Sequence, residues 1–256
     1  MDLGLKGKRA LILGGNRGIG LGIAKALAEE GTHVALAARD RARLDSAAAE
    51  LGGVGFEVDL KNLASLADFA SRVTRDFGPV DILVNNTGGP AYGGASGRPL
   101  EEWRDRFEDM VLAVISLTDA LLPGMRQRQW GRILTIVSQG VIQPIPVLGI
   151  SNTLRSSLVA WSKTLASEVA KDGVTVNVIV PGRIDTERVR LTDEAVAKRE
   201  NISSEEARRR SRATIPMGRY GTTDELGAVA AFVVSERASY MTGGLVRVDG
   251  GIIRSV

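Results

Sequence analysis

Gly14, Gly18 and Gly20 follow an apolar run at 10–13 and lead into a helically spaced set, Ile19, Ile23, Ala26 and Leu27. The chemistry this spacing supports is anion binding. Missing side chains let the backbone turn sharply and let a diphosphate approach the positive end of a helix dipole. Asn16 and Arg17 lie inside the same turn.

Other chemistries lack their parts. The chain has no cysteine, which excludes thiolate catalysis, a disulfide framework and cysteine-ligated metal. Its single histidine, His33, stands at the entry to a predicted strand, so an imidazole metal site and a Ser-His-Asp triad are both incomplete. No metal site is expected.

A strand, a glycine turn and a helix must present such a turn, and the rest of the chain repeats that alternation. Apolar runs predict strands at 10–13, 33–38, 54–58, 81–84, 133–137, 174–180 and 245–248. Helical spacing fills the intervals, at about 62–77, 99–129 and 147–170. One apolar stripe runs through Trp103, Phe107, Met110, Val111, Val114, Leu117 and Leu121, and another through Leu154, Leu158, Trp161 and Leu165. Thr222-x-x-Glu225 predicts a capping box that opens a further helix.

The pattern predicts an α/β fold, a Rossmann-type doubly wound parallel sheet of about seven strands, as a single domain over 1–256. The most polar segment, 187–216, leaves a strand end where ligands collect in such sheets, and is expected to be a substrate lid. Ser203-x-x-Glu206 would cap its second helix.

Bulk properties narrow the setting. At 256 residues and 44% apolar, the chain can bury a sizeable core. Net charge is only +3, with acidic residues interleaved among basic ones, so no nucleic-acid face is expected. No apolar run approaches the roughly 18 residues of a membrane span, and the first residues lack a secretory pattern. A cytoplasmic location is expected.

Over essentially its whole length the chain resembles the short-chain dehydrogenase/reductase family, in particular its 3-oxoacyl-carrier-protein-reductase-like members. The residues that carry the resemblance are Gly14-x-x-x-Gly18-x-Gly20, Asp59, Asn85-Asn86-x-Gly88, Ser138 and Pro181-Gly182-x-Ile184-x-Thr186. Each ends a predicted strand, so one rim of the sheet would gather them. The resemblance implies that Asp59 and Leu60 meet an adenine and that Asn86 and Gly88 line the adenosine side. It further implies that Ile184 and Thr186 hold a nicotinamide amide, and that the protein is a homotetramer or homodimer. Charge then selects the cofactor: Arg17 and Arg39 favour the 2′-phosphate of NADP over NAD, Asp40 being the nearest carboxylate.

The resemblance fails at the reaction centre. Family members carry a tetrad of Asn, Ser, Tyr and Lys, in which tyrosine passes the proton and lysine lowers its pKa and binds ribose. Here only Ser138 remains. The tyrosine position is Ser151, the lysine position Arg155, and the asparagine position Met110. Arg155 keeps a charge for ribose or phosphate but does not shuttle protons, and Ser151 is a far weaker acid than a phenol. Loss of general acid catalysis removes roughly 10²–10⁴-fold in rate. Tyr92, on the loop after the fourth strand, is the best substitute donor; Tyr220 and Tyr240 are poorer.

The sequence therefore reads as an NADP(H)-dependent short-chain oxidoreductase. Its substrate would be a small carbonyl or acyl compound, and activity would be weak or use another proton route. The alternative is a dinucleotide-binding sensor or partner subunit with impaired catalysis. A halohydrin-dehalogenase reading, suggested by arginine at 155, conflicts with Ser151 and with the intact glycine turn.

Overall fold

The computed structural model describes residues 1–255. It opens with β1 (Arg9–Leu13), α1 (Gly18–Glu29), β2 (His33–Ala38), α2 (Arg41–Glu50), β3 (Val54–Glu57), α3 (Leu66–Asp76) and β4 (Ile82–Asn85). The second half contains α4 (Leu100–Phe107), α5 (Ala113–Gln127), β5 (Gly131–Ile136), α6 (Gly149–Val169) and β6 (Val174–Pro181). After these come α7 (Glu187–Glu200), α8 (Ser204–Ala213), α9 (Thr223–Val233) and β7 (Leu245–Val248).

All seven strands are parallel, in the order β3-β2-β1-β4-β5-β6-β7. Their carboxyl ends therefore share one edge. The chain crosses over after β3 and returns beside β1, so the switch point lies between β1 and β4, where such sheets bind ligands.

Strand alternation builds a three-layer sandwich. On β1, Leu11 and Leu13 face one layer with Phe69 and Val73 of α3, Leu117 of α5 and Leu165 of α6. Ala10 and Ile12 face the other, with Ile23 and Leu27 of α1, Leu44 of α2 and Leu226 of α9. Leu154, Leu158 and Leu165 are all buried against the protein's own sheet. Trp161 of the same stripe is half-buried.

Two predicted helices are interrupted. The 62–77 helix begins with a separate 3₁₀ turn at Leu63–Ser65. The 99–129 helix contains a π-helical turn at Glu108–Leu112 between α4 and α5. The wide turn breaks the strict spacing, so Met110 and Val111 are buried while Phe107 of the same predicted stripe is exposed. Such turns favour functional sites, and this one holds Met110. No helix among the described residues is long and apolar enough to cross a membrane.

Candidate active site

The glycine turn is built for close approach. Gly14 and Gly18 adopt φ of +60° and +54°, a conformation that side chains disfavour. A Cβ on Gly20 would lie 2.2 Å from the Gly14 carbonyl oxygen, so only glycine fits. Asn86 Nδ2 donates to the Leu13 carbonyl at 3.2 Å and locks the β4 loop onto the end of β1. Arg17 occupies the N-cap of α1 with extended backbone and no side-chain cap, leaving the first helical N–H groups to meet an anion. Asn16 and Ile19 sit half-buried in the same turn.

Three arginines surround the turn's outer side. Arg17 Nη1 pairs with Glu187 Oε2 at 2.8 Å, and Arg43 Nη1 reaches the same oxygen at 3.3 Å. These bonds hold the Glu187 carboxyl below its ordinary pKa, Arg17 contributing most. Arg39 is exposed at the end of β2. Asp40 instead caps α2, accepting the Arg43 N–H at 3.1 Å, and also pairs with the Arg43 guanidinium. Asp59 is exposed after β3 and accepts the Lys61 N–H at 3.1 Å, with Leu60 half-buried beside it.

At the end of β5, Ser138 caps a short 3₁₀ turn, its Oγ accepting the Gly140 N–H at 3.3 Å. The Ser138 hydroxyl proton is thereby left to donate elsewhere. On α6, Ser151 and Arg155 lie one turn apart, 6% and 7% exposed. Arg155 Nη1 donates to the Ile136 carbonyl at 3.0 Å, and Nη2 to the carbonyls of Thr87 and Gly88 at 3.2 Å each. It thus ties the end of β5 to the β4 loop. Burial lowers its pKa to about 10, repulsion from Arg188 adds to this, and Asp109 partly offsets it. The guanidinium stays charged at neutral pH.

Met110, expected from the sequence at the family's asparagine position, is 1% exposed in an apolar cluster with Val114, Ile150 and Leu154. Beside it, Asp109 pairs with Arg106 at 2.7 Å while its Oδ1 is buried without a hydrogen bond. Burial raises the Asp109 pKa.

The β6 rim supplies a second wall. Ile184 forms a parallel bridge with Gly221: Gly221 N–H donates to the Arg183 carbonyl, and Asp185 N–H to the Gly221 carbonyl. In this register the N–H and C=O of Ile184 itself point the other way, away from Gly221. Thr186 approaches the glycine turn, its Cγ2 3.5 Å from where a Gly18 Cβ would stand. Gly182 leaves no room for a side chain against Asp249.

The polar segment forms α7 and α8, with Ser203 capping the second helix as its motif predicts. Buried Asp193 pins α7 to the body through Arg183 at 3.2 Å and the Tyr220 hydroxyl, which donates at 2.7 Å. Tyr220 is committed to that contact. Tyr92 is half-exposed, its hydroxyl bonded to Thr192 on α7. Arg188 donates to the Pro90 carbonyl at 3.1 Å and stacks over the Tyr92 ring. Tyr240 is fully exposed.

A family profile described as enoyl-(acyl carrier protein) reductase matches residues 14–253. The chain belongs to the short-chain dehydrogenase/reductase family. This reductase-family chain is 37% identical over 255 residues to the D-beta-hydroxybutyrate dehydrogenase of Cupriavidus necator, covering 96% of this chain and 98% of that one. It is 34% identical to the 3-oxoacyl-(acyl-carrier-protein) reductase of Escherichia coli, covering 98% and 99%. The crystal structure of L-sorbose reductase from Gluconobacter frateurii, complexed with NADPH and L-sorbose, superposes with a TM-score of 0.94. That pair is 35% identical, and both chains are fully covered. The short-chain dehydrogenase/reductase fold thus accounts for the whole sandwich and its ligand rim.

Sequence reasoning missed Arg43, Asp109, Arg188 and the Glu187 contact. A basic residue in the first turn of the helix after β2 would have signalled Arg43. Arg188 carried no signal, because its place over the β4 loop depends on how α7 packs.

Proposed function

We propose that the chain is an NADP(H)-dependent reductase of small carbonyl or acyl compounds. The observation that carries this is the glycine cradle, closed by Asn86 and flanked by Arg17 and Arg43, which fits a phosphorylated dinucleotide in shape and charge. The NADPH-bound sorbose reductase, similar throughout, supports the cofactor.

In this reading Gly14, Asn16, Gly18, Ile19 and Gly20 hold the diphosphate, and Arg17, Arg39 and Arg43 the 2′-phosphate. Asp59, Leu60, Asn86 and Gly88 line the adenosine side. Pro181, Gly182, the main chain of Ile184, and Thr186 face the nicotinamide amide, and Arg155 the adjoining ribose. When bound, the nicotinamide would supply a hydride. Ser138 donates a hydrogen bond that polarises the substrate oxygen, water or the substrate itself supplies the proton, and Ser151 stands beside Arg155 at the position that resembles the family's tyrosine. Residues 187–216 close over the substrate.

Calorimetric titration with NADPH and NADH tests the cofactor, and a panel of carbonyl compounds tests turnover. NADPH should bind more tightly than NADH, and Ser138→Ala should retain that binding while losing turnover. A second reading, a dinucleotide-binding sensor, is favoured by one observation: Met110, buried among aliphatics, supplies no polar link for a proton. NADPH binding without turnover of any compound would establish it.

A further inference from the structure

The Ile184–Gly221 bridge stands alone. It lies outside every strand, between the loop that leaves β6 and the loop that enters α9. Two hydrogen bonds hold it, from Gly221 N–H to the Arg183 carbonyl at 3.0 Å and from Asp185 N–H to the Gly221 carbonyl at 2.8 Å. A cavity of about 170 Å³ borders it, lined by Arg183, Ile184, Gly221, Val229 and Val248, so packing does not back the bridge on that side. The Ile184 side chain is buried close over Gly221, where an added Cβ would stand 2.9 Å from its Cδ1. Loops joined by so few bonds open readily unless another contact ties them.

Asp193 is that contact. Its Oδ1 accepts from Arg183 Nη1 at 3.2 Å and its Oδ2 from the Tyr220 hydroxyl at 2.7 Å. Arg183 and Tyr220 immediately precede Ile184 and Gly221, so one carboxylate ties together the two segments that form the bridge. It reaches them from a third segment, α7, and is 2% exposed. A carboxylate buried that deeply is costly to leave short of a partner. Its bonds are also screened less than the exposed pairs of α7, Glu187 with Arg17 and Arg190 with Asp185.

Seating the helix does not by itself call for a carboxylate. Only Asp193 and Ala197 of α7 are buried, and Leu191 is 57% exposed. An apolar residue at 193 would anchor the helix to the body as well or better. What the carboxylate adds is the gathering of two donors from different loops.

We propose that Asp193 is a positioning residue for the nicotinamide end of the cleft, holding the Ile184–Gly221 bridge closed and with it the main chain of Ile184. The proposal rests on the cofactor reading above, in which that main chain meets the nicotinamide amide. The N–H and C=O of Ile184 point away from Gly221, so the bridge behind them sets their direction. An open bridge misdirects those groups and leaves the glycine turn, Arg17 and Arg43 as they are. Asp193 therefore acts on one half of the dinucleotide and not on the other.

Two measurements on the full chain test this. In the first, NADPH and adenosine 2′,5′-bisphosphate are titrated by calorimetry into wild type, Tyr220→Phe and Asp193→Asn. The bisphosphate carries adenosine and the 2′-phosphate but no nicotinamide. Both variants should bind NADPH about tenfold more weakly, a usual size for coupling between sites, and the bisphosphate within about twofold of wild type. A general loss of structure would weaken both ligands alike, and that result, or unchanged NADPH binding, overturns the proposal. In the second, amide hydrogen exchange is followed by NMR without cofactor. The Gly221 and Asp185 amides should exchange about tenfold faster in Tyr220→Phe. The Val178 amide of β6, bonded to the Gly244 carbonyl, should be unchanged. Equal exchange at Gly221 and Asp185 in this variant and wild type overturns the proposal. Tyr220→Phe keeps the ring and the Arg183 bond, so it reports even if Asp193→Asn fails to fold. Wild type that binds neither ligand overturns the cofactor reading itself. Wild type that binds both, with Tyr220→Phe binding NADPH normally, overturns only the role of Asp193.

Discussion

Arg17 of the glycine turn and Glu187 at the head of α7 meet at 2.8 Å, and Arg43 of α2 reaches the same carboxylate oxygen at 3.3 Å. Two guanidiniums converging on one oxygen show that these side chains can hold a single anion together, as a phosphate would require. A 2′-phosphate on them would compete with Glu187. Exposed pairs of this kind are screened by solvent and contribute no more than a few-fold in affinity. Arg43→Ala should therefore weaken NADPH binding several-fold and leave NADH nearly unchanged, while Glu187→Gln should tighten NADPH selectively. Fluorescence titration of both cofactors checks this. Equal effects on NADPH and NADH would remove the arginines from phosphate recognition.

The reading of Ser151 as the replacement for the family's tyrosine makes a second prediction. Ser151 and Arg155 lie on one face of α6, one turn apart. Ser151→Tyr combined with Arg155→Lys restores the family's pair. The double variant should gain about 10²-fold in saturated-ketone reduction over wild type, the size of a general acid contribution. Steady-state rates on one saturated ketone decide it. No gain would show that replacing Met110 is also required.

These predictions separate what was legible in the sequence from what was not. The glycine turn, β2 at His33–Ala38 and β7 at Leu245–Val248 were readable because short apolar runs and glycine spacing are local properties. The capping box at Thr222 and Glu225 was readable for the same reason. The π turn at Glu108–Leu112 was not, since the apolar residues on either side of it keep helical spacing and only the burial of Met110 against the exposure of Phe107 reveals the break. Nor was the placement of Arg188, Arg43 and Glu187, which come together only when α7 packs across the rim. Local chemistry marked the cofactor turn, and tertiary packing set the charge around the substrate.

Gly20 tests how tightly that turn is built. A Cβ there would stand 2.2 Å from the Gly14 carbonyl and 2.9 Å from Asn86 Nδ2, so backbone has to move. Overpacking of this kind costs about 1–3 kcal/mol. Gly20→Ala should lower the urea midpoint and weaken NADPH binding together. Gly94→Ala, where an added Cβ meets nothing within 4 Å, should do neither. A Gly20→Ala protein of normal stability and affinity would show that the turn has slack.

The start of α9 carries the last prediction. Thr222 Oγ1 accepts the Glu225 N–H at 3.1 Å, and Glu225 Oε2 accepts the Thr222 N–H at 2.8 Å. Glu225 also takes two bonds from Arg219, chiefly responsible for lowering its pKa from 4.5 to about 2. Thr222→Ala should cost about 1 kcal/mol in urea unfolding at neutral pH. Because the folded pKa of Glu225 is depressed, its contribution is fully present above its ordinary 4.5 and is lost as pH falls toward about 2. Glu225→Gln should therefore be less stable than wild type at pH 7, with the gap narrowing steadily below pH 4.5. A gap that stays constant down to acid would mean that the difference comes from the fit of the side chain in the cap and not from the carboxylate charge.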